Sequence, residues 1–245
     1  MAQPSSRTDD SVVPVVRVDR VSKDYLLGKQ RVRALEGVSL IVAEGRFLAI
    51  AGPSGSGKST LLNLIGCIDS PTEGSIFIAG EEVSQRTPDQ LADLRARTLG
   101  FIFQSFNLLP VLSTWENVEY PLLYRKEIPR KERHERVAHY LNVVGLSKFA
   151  RHRPNELSGG QRQRVAIARA LAGSPRIVLA DEPTANLDSK TGEGVLRLMK
   201  QINEIEGTTF IFSTHDARVM ALADRVVRIS DGRLVGVQSE AAGNG

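Results

Sequence analysis

The chain has 245 residues, of which 41% are hydrophobic and 24% charged, and its formal net charge is +4. This length and composition are typical of one large soluble domain, or of a core with a subdomain. No apolar run approaches the roughly 18 residues that a membrane helix needs, which excludes a membrane span of its own. The single cysteine, Cys67, excludes an internal disulfide and is typical of a reducing compartment.

The two ends of the chain are predicted to be tails. The first ten residues are polar and contain no apolar run, so we expect a disordered tail over residues 1–14 rather than a secretory signal. Residues 239–245 are predicted to form a second tail. Between them, residues 15–238 are predicted to form a single domain.

Much of the positive charge lies between residues 125 and 153. A surface for nucleic acid or anionic lipid is one interpretation of this segment. Interspersed glutamates favour the other, a solvated helix face, and no stacking aromatics of the single-strand-binding kind accompany the basic residues. We therefore expect no nucleic-acid partner.

The N-terminal part predicts an antiparallel sheet. Valines alternate with polar residues over residues 16–21, and a second strand signal covers residues 32–42 with an interruption near Gly37. A turn at residues 27–30 joins these two strands, and a further strand follows at residues 75–78. Strands connected this locally pair antiparallel, which predicts a β subdomain beside the loop described next.

Residues 52–60 read GPSGSGKST and lie between an apolar run, residues 47–51, and a helical pattern from residue 61. In this strand–loop–helix context, G-x-x-x-x-G-K-[ST] is a phosphate-binding loop. Its glycines allow backbone N–H groups to turn inward on an anion, and the helix N-terminus adds positive charge. A glycine- and serine-rich surface turn is the alternative, but such a turn seldom has this context.

The loop predicts a nucleotide site with a magnesium ion. Lys58 would reach the β- and γ-phosphates, the Ser59 hydroxyl would bind Mg²⁺, and Thr60 would support an inner phosphate oxygen. The predicted nucleotide-contacting residues of the loop are Gly52, Pro53, Ser54, Gly55, Ser56, Gly57, Lys58, Ser59 and Thr60.

A mostly helical insert is predicted over about residues 87–155. Thr87 is an N-cap with proline at the first helical position, and leucines follow at near-helical spacing as far as Leu99. Ser113 and Glu116 form a capping box, and Gly145 closes the last helix. The pattern indicates helices at about residues 87–99, 113–123 and 128–145, interrupted by a short strand at residues 101–103.

The remaining chain alternates between helix and strand. Helices are predicted at residues 158–172, 189–205 and 216–222, and strands at residues 177–180, 209–212 and 225–229. A hairpin turn follows at residues 231–232. The predicted fold class is therefore α/β: a P-loop NTPase core (residues 15–86 and 156–238) with a mainly parallel sheet, an antiparallel β subdomain and a helical insert. Ligands of such sheets bind beyond the carboxyl ends of the strands.

Two carboxylates follow the predicted strand at residues 177–180. Asp181 would hold Mg²⁺ opposite Ser59, and Glu182 could polarise the water that attacks the γ-phosphate. Alternatively, both carboxylates cap the turn that follows. The phosphate loop makes the catalytic interpretation the stronger one.

A second helix end suited to anions lies at Ser158, Gly159, Gly160 and Gln161, where the sequence reads LSGGQ. Ser158 is a good N-cap, and the two glycines leave backbone N–H groups uncovered. Taken alone, the same residues could be a flexible, glycine-containing helix cap.

The order of these motifs resembles the ATP-binding subunit of ABC transporters. The phosphate loop, Gln104, LSGGQ, IVLADE, NLD and His215 follow one another as in that family, over residues 15–237. The resemblance implies an ABC ATPase that binds ATP and Mg²⁺ and forms a homodimer. ATP would lie between the phosphate loop of one chain and residues 158–161 of the other.

Several further residues are assigned by this resemblance. Tyr25 matches the aromatic residue that stacks on adenine, and an ordinary sheet-edge aromatic is the weaker alternative. Gln104 matches the glutamine that touches Mg²⁺ and the attacking water, and His215 the histidine that contacts the γ-phosphate. Asp188 matches the acid of the loop that crosses the dimer. Asn186 departs from the family, whose commoner form has alanine there.

Around Gln104 the text GFIFQSFNLLP resembles the bacterial subgroup for lipoprotein release and for macrolide or peptide export. Such subunits work with a separate integral membrane permease at the cytoplasmic face of the inner membrane, and residues 105–124 would form the groove that receives it. Phe106, Leu108 and Leu109 could instead be core of the helical insert. The other function class is an ATPase of this fold that regulates cell-envelope or division enzymes through a similar permease.

Overall fold

The computed structural model of the protein describes residues 14–239. The predicted tails therefore lie almost entirely outside the described residues. Pro14 already belongs to the first strand and Ser239 to the last. No helix within this range is both long and apolar enough to cross a membrane.

The elements alternate much as the sequence predicts. The strands are β1 (Pro14–Leu27), β2 (Gln30–Ala43), β3 (Phe47–Ala51), β4 (Glu73–Ile78), β5 (Glu81–Glu82), β6 (Leu99–Ile102), β7 (Ile177–Asp181), β8 (Thr209–Thr214), β9 (Arg225–Ser230) and β10 (Arg233–Ser239). The α-helices are α1 (Lys58–Ile65), α2 (Ala92–Thr98), α3 (Thr114–Leu123), α4 (Arg130–Val143), α5 (Gly159–Leu171), α6 (Ser189–Glu206) and α7 (Ala217–Leu222).

A six-stranded sheet with the order β10-β9-β3-β8-β7-β6 forms the centre of the described chain. Its neighbouring strands run parallel except β9 and β10, which form the predicted hairpin. Phe47 and Ala49 of β3 face one apolar core, whereas Leu48 and Ile50 face the other. Since successive strand residues point to opposite faces, both faces of the sheet are covered. The predicted α/β fold class is confirmed.

The second sheet is antiparallel, with the order β2-β1-β4-β5. Helix α1 lies between the two sheets, because its apolar residues share one core with side chains from both. The interruption predicted near Gly37 is a bulge rather than an end: Val21 pairs with Val38 but Lys23 pairs with Leu35, so β2 carries an extra residue there.

The first predicted helix of the insert starts later than expected. Thr87 does cap a turn, since its hydroxyl accepts a hydrogen bond from the Gln90 amide at 3.4 Å. The α-helix itself begins only at Ala92. The proline at residue 88 thus follows the cap of a turn and not the cap of an α-helix.

Leu99 was predicted to lie in that helix, and this prediction was wrong. Leu99 opens β6, which pairs in parallel with β7 at the edge of the six-stranded sheet. Gly100 allows the strand to approach α5 closely, because a Cβ atom there would lie 2.4 Å from the carbonyl oxygen of Ala170. The segment from α2 to β6 is therefore built onto the core sheet, and α3 and α4 form the helical part that packs beside α5.

Helices α3 and α4 follow the predicted pattern. Ser113 and Glu116 form the predicted capping box, in which the Ser113 amide donates to the Glu116 carboxylate at 2.7 Å. Val137 and Leu141 of α4 are buried in the core on the α5 side of the sheet, and Gly145 takes the left-handed conformation that ends the helix.

The basic side chains of residues 125–136 mostly pair with glutamates of the same region. Arg136 contacts Glu132 at 2.6 Å, and Arg125 contacts Glu127 at 2.9 Å. A third pair joins Arg133 to α3, through a glutamate at 3.5 Å. Because these charges are locally balanced, the segment fits a solvated helix face.

Candidate nucleotide-binding site

The phosphate loop occupies residues 52–57, between the carboxyl end of β3 and the start of α1. Two of its glycines are dictated by close packing. A Cβ atom on Gly52 would lie 2.2 Å from the carbonyl oxygen of Ile229, and one on Gly57 would lie 2.7 Å from that of Ala34. Gly57 also has a φ of 105°, which L side chains rarely adopt. The loop can therefore take this shape only with glycine at both positions.

Lys58 lies folded across this loop. Its side chain is largely buried, at 7% exposed, and Nζ donates to the carbonyl oxygens of Gly52 and Pro53, each at 2.8 Å. The Ser56 hydroxyl is buried and has no hydrogen-bond partner among the described residues. A buried cation that contacts only dipoles, beside an unpaired hydroxyl, is suited to an anion such as a phosphate.

Asp181 and Ser59 meet at the edge where β7 ends. The Ser59 hydroxyl donates to Asp181 Oδ1 at 3.1 Å, and the Ser213 hydroxyl donates to the same oxygen. Hydroxyl and carboxylate oxygens are the ligands that Mg²⁺ prefers, and the ion usually keeps several waters beside one or two protein oxygens. The residues therefore fit a magnesium ion, although residues 14–239 contain no cluster of three or more acidic, His or Cys ligands.

Glu182 and His215 form a pair beside this edge. His215 Nδ1 lies 2.8 Å from Glu182 Oε1, and Glu182 has a left-handed φ of 45°. The Glu182 amide donates to the Ser213 carbonyl at 3.0 Å, which fixes this turn at the end of β7. The Glu182 side chain is mostly buried, at 16% exposed, whereas the His215 side chain faces solvent, at 69% exposed. Such a carboxylate is placed to orient a water molecule.

Asp216 is a residue that the sequence did not single out. Its carboxylate accepts a hydrogen bond from the Thr184 hydroxyl at 3.0 Å and forms an ion pair with Arg218 at 2.6 Å. It thereby ties the strand end that carries His215 to the loop after Glu182. The Arg218 hydrogen bond lowers the pKa of Asp216 to about 2. Asp216 was recognisable from the sequence only as the first residue of a short predicted helix.

We expect Asp216 to make the fold sensitive to acid. Its folded-state pKa of about 2 lies below the ordinary 3.8, so the ionised carboxylate stabilises the fold above about pH 4. That contribution is lost as the pH falls towards 2. Urea denaturation should show Asp216→Asn less stable than the parent near neutral pH, with the difference shrinking as the pH falls below about 4. A pH-independent difference would contradict this, and exposed Asp89→Asn is the control.

The LSGGQ residues begin α5 as predicted. The Ser158 hydroxyl accepts from the Gln161 amide at 3.3 Å, and the Ser158 amide donates to the Gln161 side chain at 2.8 Å. Gly160 lies against α6, since a Cβ atom there would lie 2.3 Å from a methyl carbon of Thr191. Within residues 14–239, no hydrogen bond or ion pair joins residues 158–161 to the phosphate loop of the same chain.

Asp188 caps α6 in this structure. Its carboxylate accepts from the Thr191 amide at 3.0 Å, and contact with Thr191 lowers its pKa. Gln104 lies just beyond β6, and its backbone carbonyl accepts from the Asn186 side chain at 2.9 Å. Gln104 is thus next to the loop that leads to Asp188. The role of Asp188 at the opposite chain's ATP stays a prediction.

Tyr25 lies near the start of α1. Its hydroxyl donates to Asp69 at 2.9 Å, and the same carboxylate contacts Lys23 at 2.6 Å. Burial, followed by contact with Asp69, raises the pKa of Tyr25. Thr60, in the first turn of α1, acts on the same pKa in the opposite direction, so the phenol lies beside the phosphate-loop helix. The adenine contact of Tyr25 stays a prediction.

Comparison with known proteins identifies the family. Residues 35–185 match the ABC transporter family. An uncharacterized ABC transporter ATP-binding protein of Thermotoga maritima is 51% identical over 91% of this chain and 95% of its own. The macrolide export ATP-binding/permease protein MacB of Brucella melitensis is 47% identical over 91% of this chain, which spans 34% of that longer protein.

A solved structure agrees with the fold. It is described as a dimeric, post-hydrolysis state of the ATP-binding cassette MJ0796, bound to ADP and Pi, and MJ0796 is from Methanocaldococcus jannaschii. The TM-score is 0.85 at 45% identity, over 93% of this chain and 99% of that one. The resemblance drawn from the motif order is confirmed. The chain belongs to the ABC transporter family and is similar over nearly its whole length to ATP-binding proteins of that family.

Proposed function

We propose that this protein binds and hydrolyses ATP with Mg²⁺ as a homodimer, and that it powers a separate membrane permease from the cytoplasmic face of the inner membrane. One observation carries the proposal. The phosphate loop, Asp181, Glu182 and His215 meet at one edge of the sheet, whereas the second anion-suited helix end, at Ser158, makes no hydrogen bond with that loop in the described chain. A second copy would complete the site, and the MJ0796 relative is described as dimeric.

The residues of the site divide the chemistry among them. The loop amides and Lys58 would bind the β- and γ-phosphates, and His215 would contact the γ-phosphate from the other side. Glu182, held by its backbone bond to Ser213, would orient the attacking water. Serine and glycine amides of the opposite chain would cover the γ-phosphate and exclude bulk water.

The magnesium ion would be held by Ser59 and Asp181, with Gln104 nearby, and would neutralise phosphate charge when bound. Hydrolysis would replace ATP with ADP and inorganic phosphate, which together carry more negative charge within the closed dimer interface, and their repulsion favours opening and release of both products. ATP would thereby drive an opening and closing cycle that a permease can use for transport.

An apolar groove supports the permease part of the proposal. It has a volume of about 510 Å³ and is lined by Leu99, Phe101, Phe103, Tyr120, Tyr124 and Arg169, among others. Phe106, Leu108 and Leu109 were predicted either for this role or as core of the helical insert, and Leu108 packs against the core beside α5. The groove lies between α2, β6 and α3, and Tyr120 and Tyr124 of its lining belong to the predicted segment 105–124.

The kind of cargo is part of the proposal. Relatives named for macrolide export contain an ATP-binding and a permease part in one longer protein. By analogy, this chain would serve export of a macrolide, peptide or lipoprotein through a permease made as a separate chain. The alternative is that the same ATPase transmits force to cell-envelope or division enzymes without transport.

The test is capture of the permease from native membranes with and without ATP and Mg²⁺, using the Glu182→Gln protein as bait. We expect one integral membrane protein in stoichiometric amount, and its extracytoplasmic part would separate export from envelope regulation. Tyr120→Arg, at a 55% exposed groove position, should abolish capture because it adds a third cation beside Arg95 and Arg169.

The matched control for the groove is Ile205→Arg, at an 84% exposed position on α6 outside the groove. It should leave capture intact. An ATP-dependent dimer with no membrane protein would contradict the permease proposal. Equal capture by Tyr120→Arg and Ile205→Arg would contradict the proposal that the permease binds in this groove.

A further inference from the structure

The segment that follows β6 is held through its backbone carbonyl oxygens. Asn186 Nδ2 donates to the Gln104 carbonyl at 2.9 Å. On the other side, Arg169 of α5 donates to the Phe106 carbonyl at 2.8 Å and also to that of Asn107. Two side chains from different elements therefore fix the four residues 104–107.

This segment needs external support. Phe106 and Asn107 have φ values of 63° and 47°, so two consecutive residues that are not glycine take the left-handed conformation. Such a conformation is unfavourable for L residues unless the surroundings impose it. The hydrogen bonds from Arg169 to both of their carbonyl oxygens can impose it, and the Asn186 bond fixes the segment where it begins, at Gln104.

Asn186 comes from a loop that is itself tightly bound. Buried Gln163 of α5 donates to the Pro183 carbonyl at 2.8 Å, and Thr184 donates to Asp216 at 3.0 Å. The same loop ends at Asp188, the cap of α6. Among the hydrogen bonds of residues 14–239, the Asn186 amide is the direct link between this loop and Gln104.

We propose that Asn186 is a positioning residue, which fastens Gln104 to the loop that carries Asp188 within one chain. The inference rests on the role of Gln104 and on the dimer proposed above. Since the Asp188 loop would face the opposite chain, a shift of that loop on dimer closure would move Gln104 at the ATP site of its own chain. Two sites of the dimer would thereby be linked through one amide.

Loss of this bond has a specific kinetic signature. A neutral, partly solvated hydrogen bond supports roughly a three- to tenfold effect on an equilibrium or a rate. Because Asn186 does not touch the phosphate loop, the KM for ATP should stay within about twofold while kcat falls. The Mg²⁺ concentration that gives half-maximal activity should rise by about the same factor by which kcat falls, because Gln104 would lie beside the ion.

The experiment compares three substitutions at Asn186 in the full chain. Asn186→Ala installs the residue of the commoner family form, and Asn186→Asp keeps the shape but removes the donor. Asn186→Gln keeps an amide donor on a longer side chain. The first two should lower kcat about three- to tenfold with little change in KM, and the third should retain most of the activity.

Hydrogen–deuterium exchange gives a readout that does not depend on turnover. Exchange of the peptide spanning residues 104–107 should quicken in Asn186→Ala and stay near wild type in Asn186→Gln. Unchanged kcat, Mg²⁺ dependence and exchange in Asn186→Ala would overturn the proposal, and so would an equal loss in all three variants with a lowered Tm.

Gln104→Ala distinguishes failure of this inference from failure of the site on which it rests. If Gln104→Ala lowers turnover but Asn186→Ala and Asn186→Asp do not, the link through Asn186 is refuted and the site assignment stands. If Gln104→Ala itself has no effect on turnover, the assignment of Gln104 is refuted together with the inference.

Discussion

The Glu182→Gln variant is expected to bind ATP and remain as a closed dimer, with hydrolysis reduced about a hundredfold or more, the usual range for loss of a general base. Glutamine keeps the size of the side chain and can still bond to His215, so the site should stay formed. It cannot accept the proton of the attacking water, so the state before hydrolysis should accumulate.

The measurement is size-exclusion chromatography with light scattering, together with phosphate release at saturating ATP and Mg²⁺. We expect an ATP-dependent dimer for Glu182→Gln and mostly monomer for wild type after turnover. Glu204→Gln, at an exposed position of α6, is the matched control and should behave as wild type. Steady-state hydrolysis by Glu182→Gln at the wild-type rate would remove the proposed role of this carboxylate.

Lys58→Ala should weaken ATP binding by at least about a hundredfold, since charge-assisted hydrogen bonds contribute roughly 1.5–3 kcal/mol each and Lys58 would make at least one to each of two phosphates. In the structure the ammonium is already turned over the loop, where it contacts two carbonyl oxygens. Removal of the charge leaves the loop amides as the main anion ligands.

Titration with a fluorescent ATP analogue measures this effect, and the Tm of the variant is recorded alongside because two loop carbonyls lose their partner. Lys126→Ala, a cation outside the site, should bind ATP like wild type. Undiminished affinity in a folded Lys58→Ala protein would show that the phosphate loop binds ATP without its lysine.

Local signals in the sequence were sufficient for most of the fold and for the centre of the site. The run at residues 47–51 is buried on both faces and became β3, and the capping box at Ser113 and the N-cap at Ser158 start their helices as predicted. Each of these features depends on neighbours within four residues. The phosphate loop, together with a carboxylate at the end of a buried strand, then predicted the pairing of Asp181 with Ser59, which lie 122 positions apart in the chain.

Other features depend on contacts that no local pattern encodes. Leu99 continued a helical spacing of leucines, but the close approach of Gly100 to α5 and the free edge of β7 made it a strand residue. Asp216 was predicted only as the first residue of a short helix, and its bond to Thr184 depends on β7 and β8 ending side by side. In both cases tertiary contacts outweighed a local preference.

Helix α1 has a consequence for how the domain melts. It is packed between the two sheets, with Leu61, Leu64 and Ile65 almost fully buried, so neither sheet can open without exposing it. The two sheets and the loop at the head of α1 should therefore unfold as one cooperative unit. A nucleotide held at that loop would protect both sheets together, by about 2.7 kcal/mol at a concentration one hundred times its Kd. Supply of ATP would then govern not only the work of the protein but also its lifetime against proteases.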